Sequence, residues 1–133
     1  MKNIKLLLSL GAAVLLTACG DPRPPEEIVA ERAQARWDAL LAQDLETAYS
    51  YYSPGFRETT SLSEYRFDMS RRQLRWTGIE PPSAECGDDR CTVTVVVEYE
   101  VVAGPASFRG MRSIRGVSET WIRTEGAWWY SDD

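Results

Sequence analysis

Residues 91–102 read CTVTVVVEYEVV. Val93, Val95, Val97, Tyr99 and Val101 fall at every second position, the period of a half-buried strand, while Thr92, Thr94, Glu98 and Glu100 occupy the face that suits water. Downstream, Gly104-Pro105 turns the chain and Arg109 to Thr124 reads as a second long strand. Gly126 then leads into a last strand with Trp128, Trp129 and Tyr130. Near Gly116 the alternation slips by one residue, which predicts a bulge there. Upstream, residues 74 to 80 read as a strand stopped by Pro81-Pro82.

Before residue 74 the period is helical. From Glu27 to Ala42 the residues are good helix formers, and Ala30, Ala33, Trp37, Leu40 and Leu41 recur at steps of three and four, so one stripe faces a core. Asp44 is placed to cap a short second helix carrying Leu45, Ala48, Tyr49 and Tyr52, with Ser53-Pro54-Gly55 as its stop. Ser61 with Glu64 three residues on is a capping box, opening a helix through about Arg72. Helices first and antiparallel strands after define an α+β layout, with N-terminal helices packed on a curved antiparallel sheet of about four strands.

The first residues have a different character. Lys2 and Lys5 precede an almost wholly apolar run from Leu6 to Leu16, the charge-then-apolar order of an export signal. The run is about 11 residues, short of the roughly 20 that a spanning helix needs. Its end, Leu16-Thr17-Ala18-Cys19, resembles the bacterial lipobox, in which the cysteine thiol receives a diacylglyceryl group and becomes the mature N-terminus. The resemblance implies a signal peptide over 1–18, lipid attachment at Cys19, and a membrane held through that lipid as a partner. Gly20 to Pro25 contains three prolines and reads as a stiff tether, so 19–25 is the linker and 26–133 the domain. Lipoproteins of this type are sorted in many double-membrane bacteria by the residue after the cysteine. Gly20 there, with Asp21 one place later, favours the outer membrane facing the periplasm over the inner membrane.

Composition narrows what the domain does. Two of the fifteen basic residues are the leader lysines, so thirteen arginines remain against twenty acidic residues, and there is no His. A net charge of minus seven excludes nucleic acid as a partner, since phosphate binding needs a basic surface. The absence of His removes the commonest general base and metal ligand together, and neither metal nor cofactor is expected. Cys86 and Cys91 bracket Gly87-Asp88-Asp89-Arg90, whose turn formers place a disulfide across a hairpin. A metal site would be two ligands short, and a thioredoxin-like pair would need two intervening residues where here there are four.

At Trp37 to Arg57 the sequence WDALLAQDLETAYSYYSPGFR, with the element order over about residues 26 to 131, resembles the opening of an NTF2-like domain, the cone-shaped fold also seen in ketosteroid isomerase. That resemblance implies a pocket between sheet and helices. Several enzymes of the superfamily use an Asp there with Tyr or His partners, but no residue of this chain aligns to those positions and none is carried over. Tyr49, Tyr52, Trp76, Tyr99 and Trp121 are the candidates to line such a pocket, and the plainer reading is that they fill the core.

Arg71, Arg72 and Arg75 form a local basic cluster, with Asp68 at helix-pair spacing from Arg72, which reads as a solvated helix end. Glu98 and Glu100 sit on the wet face, expected opposite Arg112 or Arg115 rather than as a catalytic pair. Trp128 and Trp129 must point to opposite faces, leaving one partly exposed or covered. The expectation is a non-enzymatic, envelope-anchored module that binds an envelope protein or a small apolar ligand. The competitor is a periplasmic isomerase or dehydratase using a buried carboxylate with a tyrosine. A cavity with a convergent carboxylate and tyrosine would speak for the enzyme, and a filled cone for the binding module.

Overall fold

The computed structural model describes residues 20–132, so the leader over 1–18 and Cys19 lie outside the described residues. Helix α1 spans Pro25–Leu41, starting at a proline whose fixed φ suits the first turn, with Glu26 and Glu27 complementing the N-terminal dipole. Val29, Ala33, Arg36, Trp37 and Leu40 are its buried stripe. The helix ends where Gln43 enters the left-handed region (φ 57°) and the Asp44 amide donates back to the Ala39 carbonyl (2.8 Å). Asp44 caps α2, Leu45–Ser50, its carboxylate accepting from the Thr47 amide.

Ser53-Pro54-Gly55, expected only to stop α2, opens another helix. Ser53 accepts from the Phe56 amide and Pro54 is the first residue of α3, Pro54–Thr59. Cap residue followed by proline at the first helical position is a start signal, and it outweighs the glycine that follows. The capping box at Ser61 and Glu64 is formed as expected and opens α4, Leu62–Ser70.

Five strands follow: β1 Leu74–Ile79, β2 Ser83–Cys86, β3 Arg90–Val101, β4 Arg112–Thr124 and β5 Ala127–Ser131. They form one antiparallel sheet, β1-β3-β4-β5, with β2 also against β3. β1 pairs from Leu74↔Val101 to Ile79↔Val97 and β2 from Ser83↔Thr94 to Cys86↔Cys91, so the two lie in succession along one edge of β3. Pro81-Pro82 divides them, because prolines supply no ladder donor. The sheet is therefore four strands wide, and the helices pack on its concave side as the sequence implied. Among the described residues no helix is long and apolar enough to cross a membrane.

The bulge expected near Gly116 is absent. β3 and β4 pair in one unbroken register from Arg90↔Ile122 through Val96↔Gly116 to Glu100↔Arg112. Residues 112 to 116 are exposed on both faces, so this end of the hairpin has no dry side and nothing constrains its alternation. The irregularity lies instead in β1, between Trp76 and Gly78. At Glu125-Gly126 both residues have positive φ (52° and 76°), the conformation a two-residue hairpin needs to match strand twist.

The core faces the helices: Val93, Val95, Val97, Cys91, Trp121 and Trp128 from the sheet meet Val29, Ala33, Trp37 and Leu40 from α1. Strand β5 would be an open edge, but the segment between α2 and α3 covers it, with the Tyr130 amide donating to the Tyr51 carbonyl (2.9 Å) and the Ser53 amide to the Tyr130 carbonyl (3.0 Å). Trp128 is buried, and half-buried Trp129 lies under the guanidinium groups of Arg32 and Arg57. Cys86 and Cys91 form a disulfide across the tip of the β2–β3 hairpin.

Because the disulfide ring is small, its main effect is to limit separation of the hairpin ends in the unfolded chain. Replacing both cysteines by alanine should lower the unfolding free energy by about 1–3 kcal/mol in urea titrations with the fold retained. Mass spectrometry under alkylation should find both thiols blocked before reduction and free after it. Two alkylated thiols in unreduced protein would refute the bond.

Candidate functional site

Inward positions on β4 are fixed by pairing with β3: Val117, Glu119 and Trp121 lie opposite Val95, Val93 and Cys91. Glu119 is thus carried into the core, where it is 3% exposed. Arg36 reaches it from α1, since it lies on the stripe between Ala33 and Leu40, and is 5% exposed. Arg36 Nη1 donates to Glu119 Oε1 at 2.8 Å and Trp37 Nε1 donates to the same oxygen at 2.7 Å. Trp121 Nε1 donates to Oε2 at 3.0 Å. Three of the roughly four acceptor positions of the carboxylate are filled by groups from two elements.

The guanidinium is held from its other sides by aromatic rings. Its Cζ lies 3.7 Å from the centroid of Tyr130 and 5.4 Å from that of Tyr52. Burial opposes the charge of Arg36, and Glu119 together with Tyr130 and Tyr52 more than offsets it, so the arginine is held above its ordinary range. Burial also raises Tyr52, raises Tyr130, and pushes Tyr65 up to about 12. All three phenols are therefore neutral hydroxyls at physiological pH.

Above this ion pair lies a cavity of about 300 Å³. Glu119 and Arg36 form its floor, and Trp37, Trp76, Tyr52 and Tyr65 stand among its walls, with Val97 and Val117 on the sheet side. Trp37 meets Trp76 edge to face, centroids 5.2 Å apart. Arg72, Gln73 and Arg115, all exposed, mark the mouth.

Of the five aromatics singled out in the sequence, Tyr52, Trp76 and Tyr99 line the cavity. Tyr49 and Trp121 do not. The Tyr49 hydroxyl donates to the Thr60 carbonyl at 2.6 Å and its ring packs on Tyr52, Phe56 and Tyr65. Trp121 is fully buried behind the floor. Sequence reasoning passed over Glu119, Arg36, Tyr65 and Tyr130. Two of these carried a readable signal: Glu119 stands two residues before Trp121 on the same strand face, and Arg36 sits three residues after Ala33 on the apolar stripe.

The basic cluster does not converge. Arg71 lies over Phe67, Arg72 over Trp76 rather than on Asp68, and Arg75 pairs with Glu100 at 3.0 Å. Glu100 also meets Arg112 at 3.8 Å, the cross-strand partner expected for it. Glu98 is exposed beside Gly78. Among the described residues no three His, Cys, Asp or Glu side chains gather as a metal-binding group.

A floor carboxylate beside tyrosines is the layout an acid–base enzyme would need. Here, however, Glu119 is paired with Arg36 and both of its oxygens accept from donors of the protein, which lowers its readiness to take a substrate proton. The chemistry of the arrangement is that of a fixed, neutral floor under an aromatic cup.

No protein-family profile matches the chain, and neither does any curated sequence. Solved structures do share the fold. A protein of the NTF2-like family from Streptomyces avermitilis, proposed to be a dehydratase, superposes with a TM-score of 0.52 at 16% identity over 78% of this chain and 89% of that one. A SEC-C motif containing protein from Psychrobacter arcticus gives 0.52 at 8% identity, covering 84% of this chain and 63% of the other. The domain is therefore an α+β cone of NTF2-like fold, and similarity at this level speaks to the fold alone.

If Glu119 neutralises Arg36 in the floor, Glu119→Ala should lower unfolding free energy by about 3–5 kcal/mol, the usual cost of stranding a buried charge. Replacing Arg36 and Glu119 together by leucine should recover part of that loss, the two indole N–H groups still lacking their acceptor. Urea unfolding of the three proteins measures this. A loss below about 1 kcal/mol for Glu119→Ala would mean the pair is not desolvated as described.

Proposed function

We propose that this chain is an envelope lipoprotein, anchored through lipid on Cys19, whose NTF2-like domain binds a small apolar ligand without transforming it. The observation that carries the binding half is the aromatic cup of about 300 Å³ over a floor whose carboxylate is already neutralised and hydrogen-bonded. That volume is at the low end of small-molecule pockets, roughly 300–1,000 Å³. The anchoring half rests on the sequence: Lys2 and Lys5, the apolar run to Leu16, and Leu16-Thr17-Ala18-Cys19. With two or three acyl chains at about 0.8 kcal/mol per buried CH₂, such an anchor is close to permanent. The location favoured is the periplasmic face of the outer membrane, and the excess of acid over arginine argues against nucleic acid as a partner.

The isomerase or dehydratase reading needs a carboxylate free to take a substrate proton, and the engagement of Glu119 argues against it.

Two arms test the proposal. Metabolic labelling with a fatty acid should mark the wild type and fail on Cys19→Ser, and equal labelling would overturn the anchor. For the cavity, 3-phenylpropanamide, a neutral single-ring probe, should raise the thermal midpoint of the wild-type chain in a concentration-dependent way. Val117→Phe, which fills the cup from the sheet side, should fold with an unchanged circular dichroism spectrum and lose at least tenfold in probe affinity. Equal binding by both proteins, or none by either, would overturn the ligand reading.

A further inference from the structure

The polar groups around the cavity are unevenly matched. Donors predominate: Arg36, Arg72 and Arg115 are cations, and Tyr52, Tyr65 and Tyr130 are neutral hydroxyls. Acceptors are few. Glu119 is taken up by Arg36 and the two indoles, and exposed Asp132 receives the Tyr130 hydroxyl at 3.3 Å. Among the described residues Arg72 and Arg115 form no ion pair, although acidic residues outnumber basic ones in the whole chain. Arg72 is further set against the cavity wall by its position over the Trp76 ring, 5.1 Å from the centroid.

A second observation points the same way. Tyr65 is 4% exposed, it lines the cavity, and its hydroxyl has no hydrogen-bond partner within the protein. Arg36 Nε, at the floor, is likewise unpartnered. Burying a polar group without a partner is costly, so a donor held this way in a cavity wall marks a place where an acceptor belongs. Arg72 lies close enough for its charge to act on both Tyr65 and Tyr52. The free donor and the unpaired cation thus share one side of the cup, and Trp37 and Trp76 add apolar wall to it.

We infer that the ligand is a small aromatic carboxylate, its ring against Trp37 and Trp76 and its carboxylate accepting from the Tyr65 hydroxyl and the Arg72 guanidinium. The inference rests on the ligand-binding reading above and adds the charge and the functional group. A ligand apolar at every atom would leave the Tyr65 hydroxyl without an acceptor, so the apolar ligand carries one polar end. A cation would meet two arginines at the mouth above a floor whose charges already compensate each other. A phosphate ester is the poorer match for a site whose volume admits one ring with a short acidic arm.

The test compares 3-phenylpropanoate with its uncharged isostere 3-phenylpropanamide, titrated calorimetrically into the full chain in phosphatidylcholine nanodiscs, with empty nanodiscs as the blank. The acid should bind roughly tenfold more tightly than the amide, as expected for a hydrogen-bonded charge replacing a neutral group. Arg72→Gln should bring that preference close to one, and Tyr65→Phe should weaken acid binding roughly tenfold. Arg71→Gln, which removes a neighbouring charge turned onto Phe67, should change neither affinity. Acid and amide binding equally, or a preference that survives Arg72→Gln, would overturn the carboxylate and leave the ligand-binding reading standing. Failure of both probes to bind would overturn the two together.

Discussion

Glu119 is carried by a strand, Arg36 and Trp37 by a helix 83 and 82 residues away in sequence, and the carboxylate that joins them is buried. A charge in that position has few acceptable environments. The desolvation of each ion has to be met by the other, and the carboxylate oxygens that Arg36 leaves over have to be met by indole N–H groups of the right orientation. These requirements restrict where α1 can sit over the sheet, because Trp37 and Arg36 project from adjacent positions of one helix and Trp121 from the position two beyond Glu119. Apolar burial on the same faces would tolerate sliding; this network does not. It sets both the height of the helix above β4 and the end of the cone at which the core stops and the cavity begins.

From that constraint the rest of the site follows. Arg36, once fixed by Glu119, offers its plane to Tyr130 and Tyr52, which orders the aromatic side of the cup and, through the contacts of Tyr51 and Ser53 with Tyr130, closes the edge of β5. On the opposite side Trp37 supports Trp76 edge to face. The result is a recess with rigid aromatic walls and a compensated floor, whose remaining polarity lies in Tyr65 and in the arginines of the mouth. Rigid walls reduce the entropy lost on binding, and donors left unmatched in the empty state give a ligand with an acceptor an advantage over one without.

The fold was largely legible because it is written in period. Five alternate positions from Val93 to Val101 against the three-and-four spacing of Ala33, Trp37 and Leu40 settle which elements are strands and helices, and the caps at Asp44 and Ser61 settle where two helices begin. Sequence and structure differ where pattern and environment part company. At Gly116 the alternation fails because both faces of the hairpin end are wet, so the lapse in pattern marks no change in geometry. At Ser53-Pro54-Gly55 a stop and a start are superposed within three residues. The site was harder to read for a physical reason: aromatic residues announce a pocket and a core in the same letters, so Tyr52, Trp76 and Tyr99 could not be separated from Tyr49 and Trp121 without coordinates. Charged residues on buried stripes are the better signal. Glu119 and Arg36 each break an otherwise apolar face, and two such breaks of opposite sign imply one another.

The network makes a direct spectroscopic statement about its indoles. In 15N-tryptophan-labelled protein, the Nε1–H groups of Trp37 and Trp121 should be the slowest of the five to exchange with deuterium, opening only with global unfolding, and Glu119→Gln should shift both resonances together. Exchange of either indole within seconds in the folded wild type, or a Glu119→Gln spectrum in which both resonances keep their positions, would contradict the account.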